Sequence, residues 1–379
     1  MKKLIRVTTA DISLDGLLQG QLRFLNQYFE VVGLAADTGS LPKVAEREGI
    51  RTIDVPMHRE ISLIADLKSL WNLIKVFRKE KPYIVHANTP KGSLLSLIAA
   101  KITGVPHRIY LVTGLRYQGT SGLFRSVLMM MERITCFFAT KVIPEGNGVK
   151  NALYKDHITN KPLEVIHHGN INGKDTSYWS IEQCPEKRED VRNRLGLKDD
   201  DFVFVFVGRI VNDKGMHELA LAMQRLNKDY PHCKVILVGR FEPDLDPLLP
   251  EDEKYLQTNE SIISVGLQLE VRPYYAAADA LVFPSYREGF PNVVLEAGAM
   301  ELPSIVTDIN GCNEVIEEGV NGVIIPPKDA DALYDAMKYF LDNPEKVRLM
   351  ASSGRRRIQE YFEQKDLWKA LLDMYNSLG

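Results

Sequence analysis

Short apolar, β-branched runs alternate with helix-length segments from one end of this chain to the other, and few folds accept that rhythm. In the first half the strand candidates are LIRVTT, EVVGLAA, YIVHAN, HRIYLVT and KVIPEG. In the second they are DFVFVFVGR, CKVILVGR, IISVG, ALVFPS, PSIVTD and GVIIPP. Between them lie segments such as 62–80, SLIADLKSLWNLIKVFRKE, and 216–229, MHELALAMQRLNKD. Such alternation predicts parallel sheets with helices on both faces, and FVFVFV, apolar at every position, suits a strand covered on both sides. A chain of 379 residues exceeds the size at which one core keeps growing, so two domains are expected. The join is expected within 168–200, which is rich in Gly, Asn and charge. The chain therefore reads as α/β, with two doubly wound domains facing each other and ligands sought in the cleft, outside the carboxyl ends of the strands.

Composition narrows the function. No apolar run approaches the ~20 residues that cross a bilayer. The opening MKKLIRVTTADISLDG has the lysines of a signal peptide, but Arg6, Asp11 and Asp15 break the apolar region, so it reads as a first strand. Cys136, Cys184, Cys233 and Cys312 lack paired zinc or redox spacing, which suggests free thiols in a reduced, cytosolic compartment. The net charge of −3 is uneven: residues 1–180 hold 24 Lys and Arg against 15 Asp and Glu, leaving 23 against 35 of the totals of 47 and 50. A basic first half suits an anionic partner, with surface drift as the plainer reading. A nicotinamide dehydrogenase would need G-x-G-x-x-G after its first strand, and TTADISLDGLLQG lacks it. No motif supports nucleic-acid binding.

The second half sets special residues at successive strand ends. After FVFVFV come Gly208 and Arg209, then Lys214 before a helix. Arg209 can grip two phosphate oxygens and Lys214 acts as a mobile point charge, although either could simply pair with a surface acid. In SYREGFPNVVLEAGAMELP (285–303) a strand and a turn lead into a helix with Pro291 in its first turn. Gly289 allows close approach to the backbone, and the amides that follow form an anion site at the positive end of the helix dipole. Glu296 can accept from two vicinal hydroxyls of a ribose, and Glu288 from hydroxyls at the far end of the ligand. Acid, phosphate site, acid is the pattern for a nucleotide sugar.

These residues resemble glycosyltransferase family 4, whose members retain anomeric configuration on the GT-B fold of two Rossmann-like domains. The resemblance rests on VGRIVNDKG (207–215), ADALVFPSYREGFPNVVLEAGAMELP (278–303) and GCNEVIEEGVNGVIIPP (311–327), with VIHHGNINGKD (165–175) like the interdomain segment. The first half resembles the branch that builds capsule, O-antigen and lipid-linked oligosaccharides. On that pattern residues 1–170 form an acceptor domain, a C-terminal helix near 362–379 packs back on it, and 171–361 bind the donor. The resemblance implies that Arg209 and Lys214 hold the diphosphate and that the Phe290–Asn292–Val293–Val294 backbone contacts it. It also implies that Glu296 binds ribose, Glu288 the moving sugar, and Arg240, Val265, Gly266 and Leu267 the base, most simply uracil. No metal is implied, since the cations and helix dipole replace it, and no cofactor beyond the nucleotide-sugar co-substrate. The chain departs from the family in reading Thr113 where many relatives have a first-domain His, with Arg116 as a replacement polar group.

On the acceptor side, NTPKGSLLSLIAA places Lys91 and Gly92 at a helix start after Asn88, suited to a lipid-linked diphosphate, with an ordinary helix carrying a helpful lysine as the plainer reading. His86 precedes it, as an acceptor-side residue or a core histidine. Gly16 and Gly20 are expected to flank a loop-to-helix junction facing the cleft. Residues 121–141, with Arg125, Arg133 and Lys141, read as a buried helix because Met and Phe recur at helical spacing. The alternative is a basic amphipathic helix on a membrane surface, which would give a cytoplasmic protein peripheral contact with an anionic membrane. The function expected is transfer of a hexosyl or N-acetylhexosaminyl group from a UDP-sugar to a polyprenyl-diphosphate-linked glycan. The alternatives are a nucleotide-sugar epimerase of similar architecture and an inactive partner subunit.

Overall fold

The computed structural model describes residues 1–58 and 62–379. The strands among them are β1 (Lys3–Ala10), β2 (Glu30–Ala36), β3 (Arg51–Asp54), β4 (Ile84–Ala87), β5 (His107–Val112), β6 (Lys141–Pro144), β7 (Phe202–Val207), β8 (Cys233–Val238), β9 (Ile262–Gly266), β10 (Ala280–Phe283), β11 (Ser304–Thr307) and β12 (Gly322–Ile325). The runs read from the sequence account for every one except β3. Its residues RTID are nowhere fully buried, so it carries no apolar run to announce it.

The described strands pair in parallel as β3-β2-β1-β4-β5-β6 and β12-β11-β10-β7-β8-β9. In each sheet the chain winds outward from a central strand, returns, and winds the other way. The switch points are β1/β4 and β7/β10, where doubly wound sheets open a crevice for ligands. Residues Met1–Asn172 and Lys365–Gly379 make one compact unit, and Gly173–Gln364 make the other.

In the second unit, β7 is buried on both faces. Phe204 and Phe206 join Leu219, Met223, Leu333 and Phe340 in one core. The first unit has a core on each side of its sheet. One holds Val7, Leu73, Phe77, Leu97 and Leu128. The other holds Leu14, Leu18, Leu22 and, from the C-terminal helix Gln364–Asn376, Leu371 and Tyr375.

That C-terminal helix seals a buried polar cluster. The Arg6 guanidinium donates to the Tyr375 hydroxyl at 3.0 Å and lies 3.2 Å from His86 Nδ1 and 3.4 Å from Asn88 Oδ1. Burial, then the nearby Arg6 charge, holds the His86 pKa well below its ordinary value. His86 and Asn88 are therefore core groups beneath the helix, not surface groups offered to an acceptor: both are essentially inaccessible.

Two further expectations change. Gly16 lies inside the helix Asp11–Leu17, which begins directly after β1, and Gly20 caps the helix Gln21–Leu25 against the Trp368 indole. Gly16 therefore lies off the loop, while Gly20 does stand at a turn-to-helix junction. The helix Gly122–Phe138 buries Leu128, Thr135 and Cys136, yet Leu123, Phe124, Val127, Met130 and Phe137 are exposed. It packs against the helix Pro90–Ile102 and the turn before it. The opposite apolar stripe is left to solvent.

Leu371→Ala should destabilise the first unit by about 2–4 kcal/mol, the usual cost of emptying a packed site. Urea unfolding followed by tyrosine and tryptophan fluorescence would measure it. A loss below ~0.5 kcal/mol, the range of changes at exposed sites, would mean that the helix is not docked.

Candidate active site

At the end of β7 the chain turns sharply. Gly208 and Arg209 lead into the short turn Asn212–Lys214 and then the helix Met216–Asp229. Gly215 makes this possible: its φ is +73°, and a Cβ there would lie 2.1 Å from the Pro284 carbonyl oxygen. Any side chain would push the turn off the end of β10. Held there, Lys214 forms an ion pair with Glu288, and its Nζ lies 3.4 Å from Ser285 Oγ. Ser285 Oγ in turn lies 3.2 Å from Glu288. Both side chains of the pair are largely shielded. Arg287 fastens the same turn from outside through Asp213 at 2.7 Å. Arg209 sits at the rim, about half exposed, with Glu242 at 3.8 Å.

The helix Asn292–Ala299 begins at Pro291, and no side chain caps it. Its first turn approaches Gly311 so closely that a Cβ there would meet Phe290 Cα at 2.7 Å and Gly289 O at 2.9 Å. The close approach seen here is at Gly311. Glu296 lies one turn into the helix. Lys174 Nζ donates to its Oε1 at 2.6 Å and the Tyr275 hydroxyl to its Oε2 at 3.2 Å. Burial, followed by the adjacent Glu296, pushes the Tyr275 pKa well above its ordinary value, so it stays a donor. These two partners escaped the sequence reading, being 122 and 21 residues away in the chain. A carboxylate has about four lone-pair sites, so Glu296 keeps capacity for ligand hydroxyls.

Further along the edge, the Arg240 carbonyl accepts from Ile210 N–H at 2.9 Å, while its side chain is exposed. Gly266 O accepts from Gly239 N–H at 2.9 Å, Val265 O accepts from the Gln268 amide at 2.6 Å, and Leu267 projects outward. The candidate donor residues therefore follow four adjacent strands, β10, β7, β8 and β9, along the carboxyl edge of one sheet.

The first unit holds a cavity of about 280 Å³ at its own switch point. Thr9 and Thr89, whose hydroxyls are 2.8 Å apart, line it with Lys91, Arg116, Met131 and Glu132. Lys91 is nearly buried and lies 2.6 Å from Asp66, while Arg116 is exposed. Thr113 donates to the Asn88 carbonyl at 3.0 Å, a role in the loop's own structure. Glu132 went unnoticed in the sequence because it lies inside an apolar helix. Burial pushes its pKa up to about 7, although the Tyr110 hydroxyl, 2.7 Å away, favours the charged form.

Two parallel sheets of one topology are the architecture of the GT-B class of glycosyltransferase, and here the switch point of the second carries an ion-paired lysine and an uncapped helix start. Residues 22–170 match the model described as Glycosyltransferase Family 4, and residues 187–357 the model described as Glycosyl transferases group 1. The chain is 31% identical to the capsular polysaccharide biosynthesis glycosyltransferase CapM of Staphylococcus aureus over 99% of this chain and 97% of that one. It is 28% identical to the UDP-Gal:alpha-D-GlcNAc-diphosphoundecaprenol alpha-1,3-galactosyltransferase of Escherichia coli, covering 98% and 97% of the two. Among solved structures it resembles Anabaena HepE in complex with UDP and glucose, with TM-score 0.84 and 18% identity over 100% of both chains. The chain belongs to glycosyltransferase family 4.

Glu132 makes stability depend on pH in a defined direction. The unfolded chain releases this proton near 4.5, whereas the folded protein keeps it until about 7. Stability from this group is therefore lost as pH rises through that window. The melting temperature of Glu132→Gln minus that of the native protein should rise between those pH values and then level off. A difference independent of pH would show that the carboxyl is ordinary.

Proposed function

We propose that the protein transfers a hexose or N-acetylhexosamine, with retention of anomeric configuration, from a UDP-sugar to a polyprenyl-diphosphate-linked glycan in surface polysaccharide synthesis. The observation that carries this reading is the Lys214–Glu288 ion pair at the β7/β10 switch point, beside an uncapped helix start. That combination offers a cation and free helix dipole to a diphosphate and a carboxylate to sugar hydroxyls. The names of the Staphylococcus and Escherichia relatives support the pathway and the form of the acceptor.

In this reading Glu296, steadied by Lys174 and Tyr275, accepts from the ribose hydroxyls. Arg240 and the Val265–Gly266–Leu267 strand end border the uracil. The amides from Gly289, Phe290 and Pro291 through Asn292, Val293 and Val294 are aimed at the phosphates, with Pro291 contributing only its fixed φ. Lys214 and Arg209 offset the charge that grows on the leaving diphosphate, an electrostatic contribution that needs no metal or other cofactor. The acceptor oxygen bonds to the anomeric carbon on the face from which UDP departs. The carbon–oxygen bond to UDP breaks, and the acceptor proton passes to the departing phosphate oxygen. Lys91 and Arg116 are placed to meet an acceptor diphosphate at the first-unit cavity. No helix among the described residues is long and apolar enough to cross a membrane. Access to a lipid-linked acceptor would then come through peripheral contact with the membrane's cytoplasmic face.

Thermal shift in EDTA tests the donor site, since a ligand of the folded state raises the melting temperature. UDP should stabilise the protein, and Glu296→Ala should weaken that shift. Lys214→Ala and Glu288→Ala should each cut transfer at least ~100-fold while the fold persists, as expected for lost transition-state contacts. Product with the opposite anomeric configuration by NMR would refute retention, and near-native transfer by both variants would refute the site.

A further inference from the structure

The helices Leu63–Glu80, Pro90–Ile102 and Gly122–Phe138 lie side by side on one face of the first sheet, with the shorter helix Asn147–Lys155 adding Val149 and Leu153 to the same core. Of the first three, the middle one is largely buried between the other two. Each of these three belongs to a crossover between parallel strands, so each runs against the strand direction and starts at the sheet's carboxyl edge. The 2.6 Å ion pair between Lys91 and Asp66 joins the first turns of two of them and fits this arrangement.

The starts of the two flanking helices are apolar on the outside. Leu63, Ile64, Leu67 and Trp71 are 54–85% exposed on one, and Leu123, Phe124, Val127 and Met130 are 42–82% exposed on the other. On each helix they recur every three to four residues, so they form stripes, not scattered single residues. Both stripes lie at the edge of the sheet where the cavity with Lys91 and Arg116 is found.

The charge beside them is mainly positive, and the one acid next to the second helix, Asp156, lies 3.7 Å from Arg125. Lys68, Lys75, Arg78 and Lys79 are exposed on the first helix, and Arg125 and Arg133 are partly exposed on the second. The acids of these helices are all occupied: Asp66 by Lys91, Glu80 by Lys3 and Arg51, and Glu132 by burial against Tyr110. An apolar stripe with cations and no unpaired carboxylate suits a surface that is apolar inside and anionic outside.

We infer that an anionic lipid bilayer docks on the exposed starts of helices 63–80 and 122–138. The apolar side chains enter the headgroup boundary, and Lys68, Lys75 and Lys79 meet lipid phosphates. This deepens the reading above and rests on it for its purpose. A lipid-diphosphate held in that bilayer would have its headgroup beside the cavity, so the acceptor is approached in two dimensions.

The test is flotation with vesicles of equal phosphatidylglycerol and phosphatidylcholine, with neither donor nor acceptor present. The native protein should float, and should float less well with pure phosphatidylcholine or in high salt. The double variant Leu67→Glu/Val127→Glu should bind at least about tenfold more weakly, since both side chains are removed from lipid. Leu349→Glu, an equally exposed apolar site in the second unit, should bind as the native protein does. Equal flotation of the native protein and the double variant would overturn the inference. So would a native dimer that the double variant splits, because the stripes would then face a second copy. Binding of UDP and transfer to a lipid-free acceptor analogue should survive in the double variant. Their failure in the native protein would count against the proposed reaction and leave the docking result standing.

Discussion

A strand hydrogen-bonded along both edges and covered on both faces has no room for polar chemistry along its length. β7 is the extreme case, with Val203 to Phe206 fully buried. Parallel connection then brings every strand out at the same edge, so the residues that follow the strands are gathered whether or not they are near in sequence. Lys214 and Glu288 meet for this reason, although 74 residues separate them. The first sheet obeys the same constraint, and its counterpart is the cavity that Thr9, Thr89 and Lys91 line.

The two switch points differ in how their charges are satisfied. At the second, cations and acids alternate and neutralise each other: Lys214 with Glu288, Lys174 with Glu296, Arg287 with Asp213. A ligand carrying both phosphate and hydroxyl groups can replace these contacts in kind, so little desolvation goes uncompensated. At the first, the cavity wall is largely apolar, with Lys91, Arg116 and Glu132 set among its lining. One suits a compact polar ligand, the other an amphiphile.

Most of the architecture was legible because apolar runs and helical segments alternate so strictly. β3 was not, since a half-exposed edge strand has no apolar signature. In the site, Arg209, Lys214, Glu288 and Glu296 could be picked out because each follows a strand or opens a helix. Lys174 and Tyr275 could not, because nothing near them in sequence marks them as partners of Glu296. Asn88 was read as open to a ligand and His86 as either that or a core group, because burial beneath a helix near residue 370 leaves no trace at residue 86. The helix 122–138 misled in the opposite sense. Met and Phe at helical spacing reveal that a helix is apolar, but not which neighbour covers it, and here one stripe has none.

The return of the chain to its first unit has a consequence for how the protein is made. Leu18 and Leu22 share a core with Leu371 and Tyr375, which are made only after the second unit. Between Asn172 and Lys365 the whole second unit must be synthesised, which takes on the order of ten to forty seconds at ordinary translation speed. Through that interval the first sheet carries one unfinished apolar face. The second unit, continuous from Gly173 to Gln364, meets no such delay. The later-made half can therefore complete its core first, and the earlier-made half closes only when the helix Gln364–Asn376 arrives.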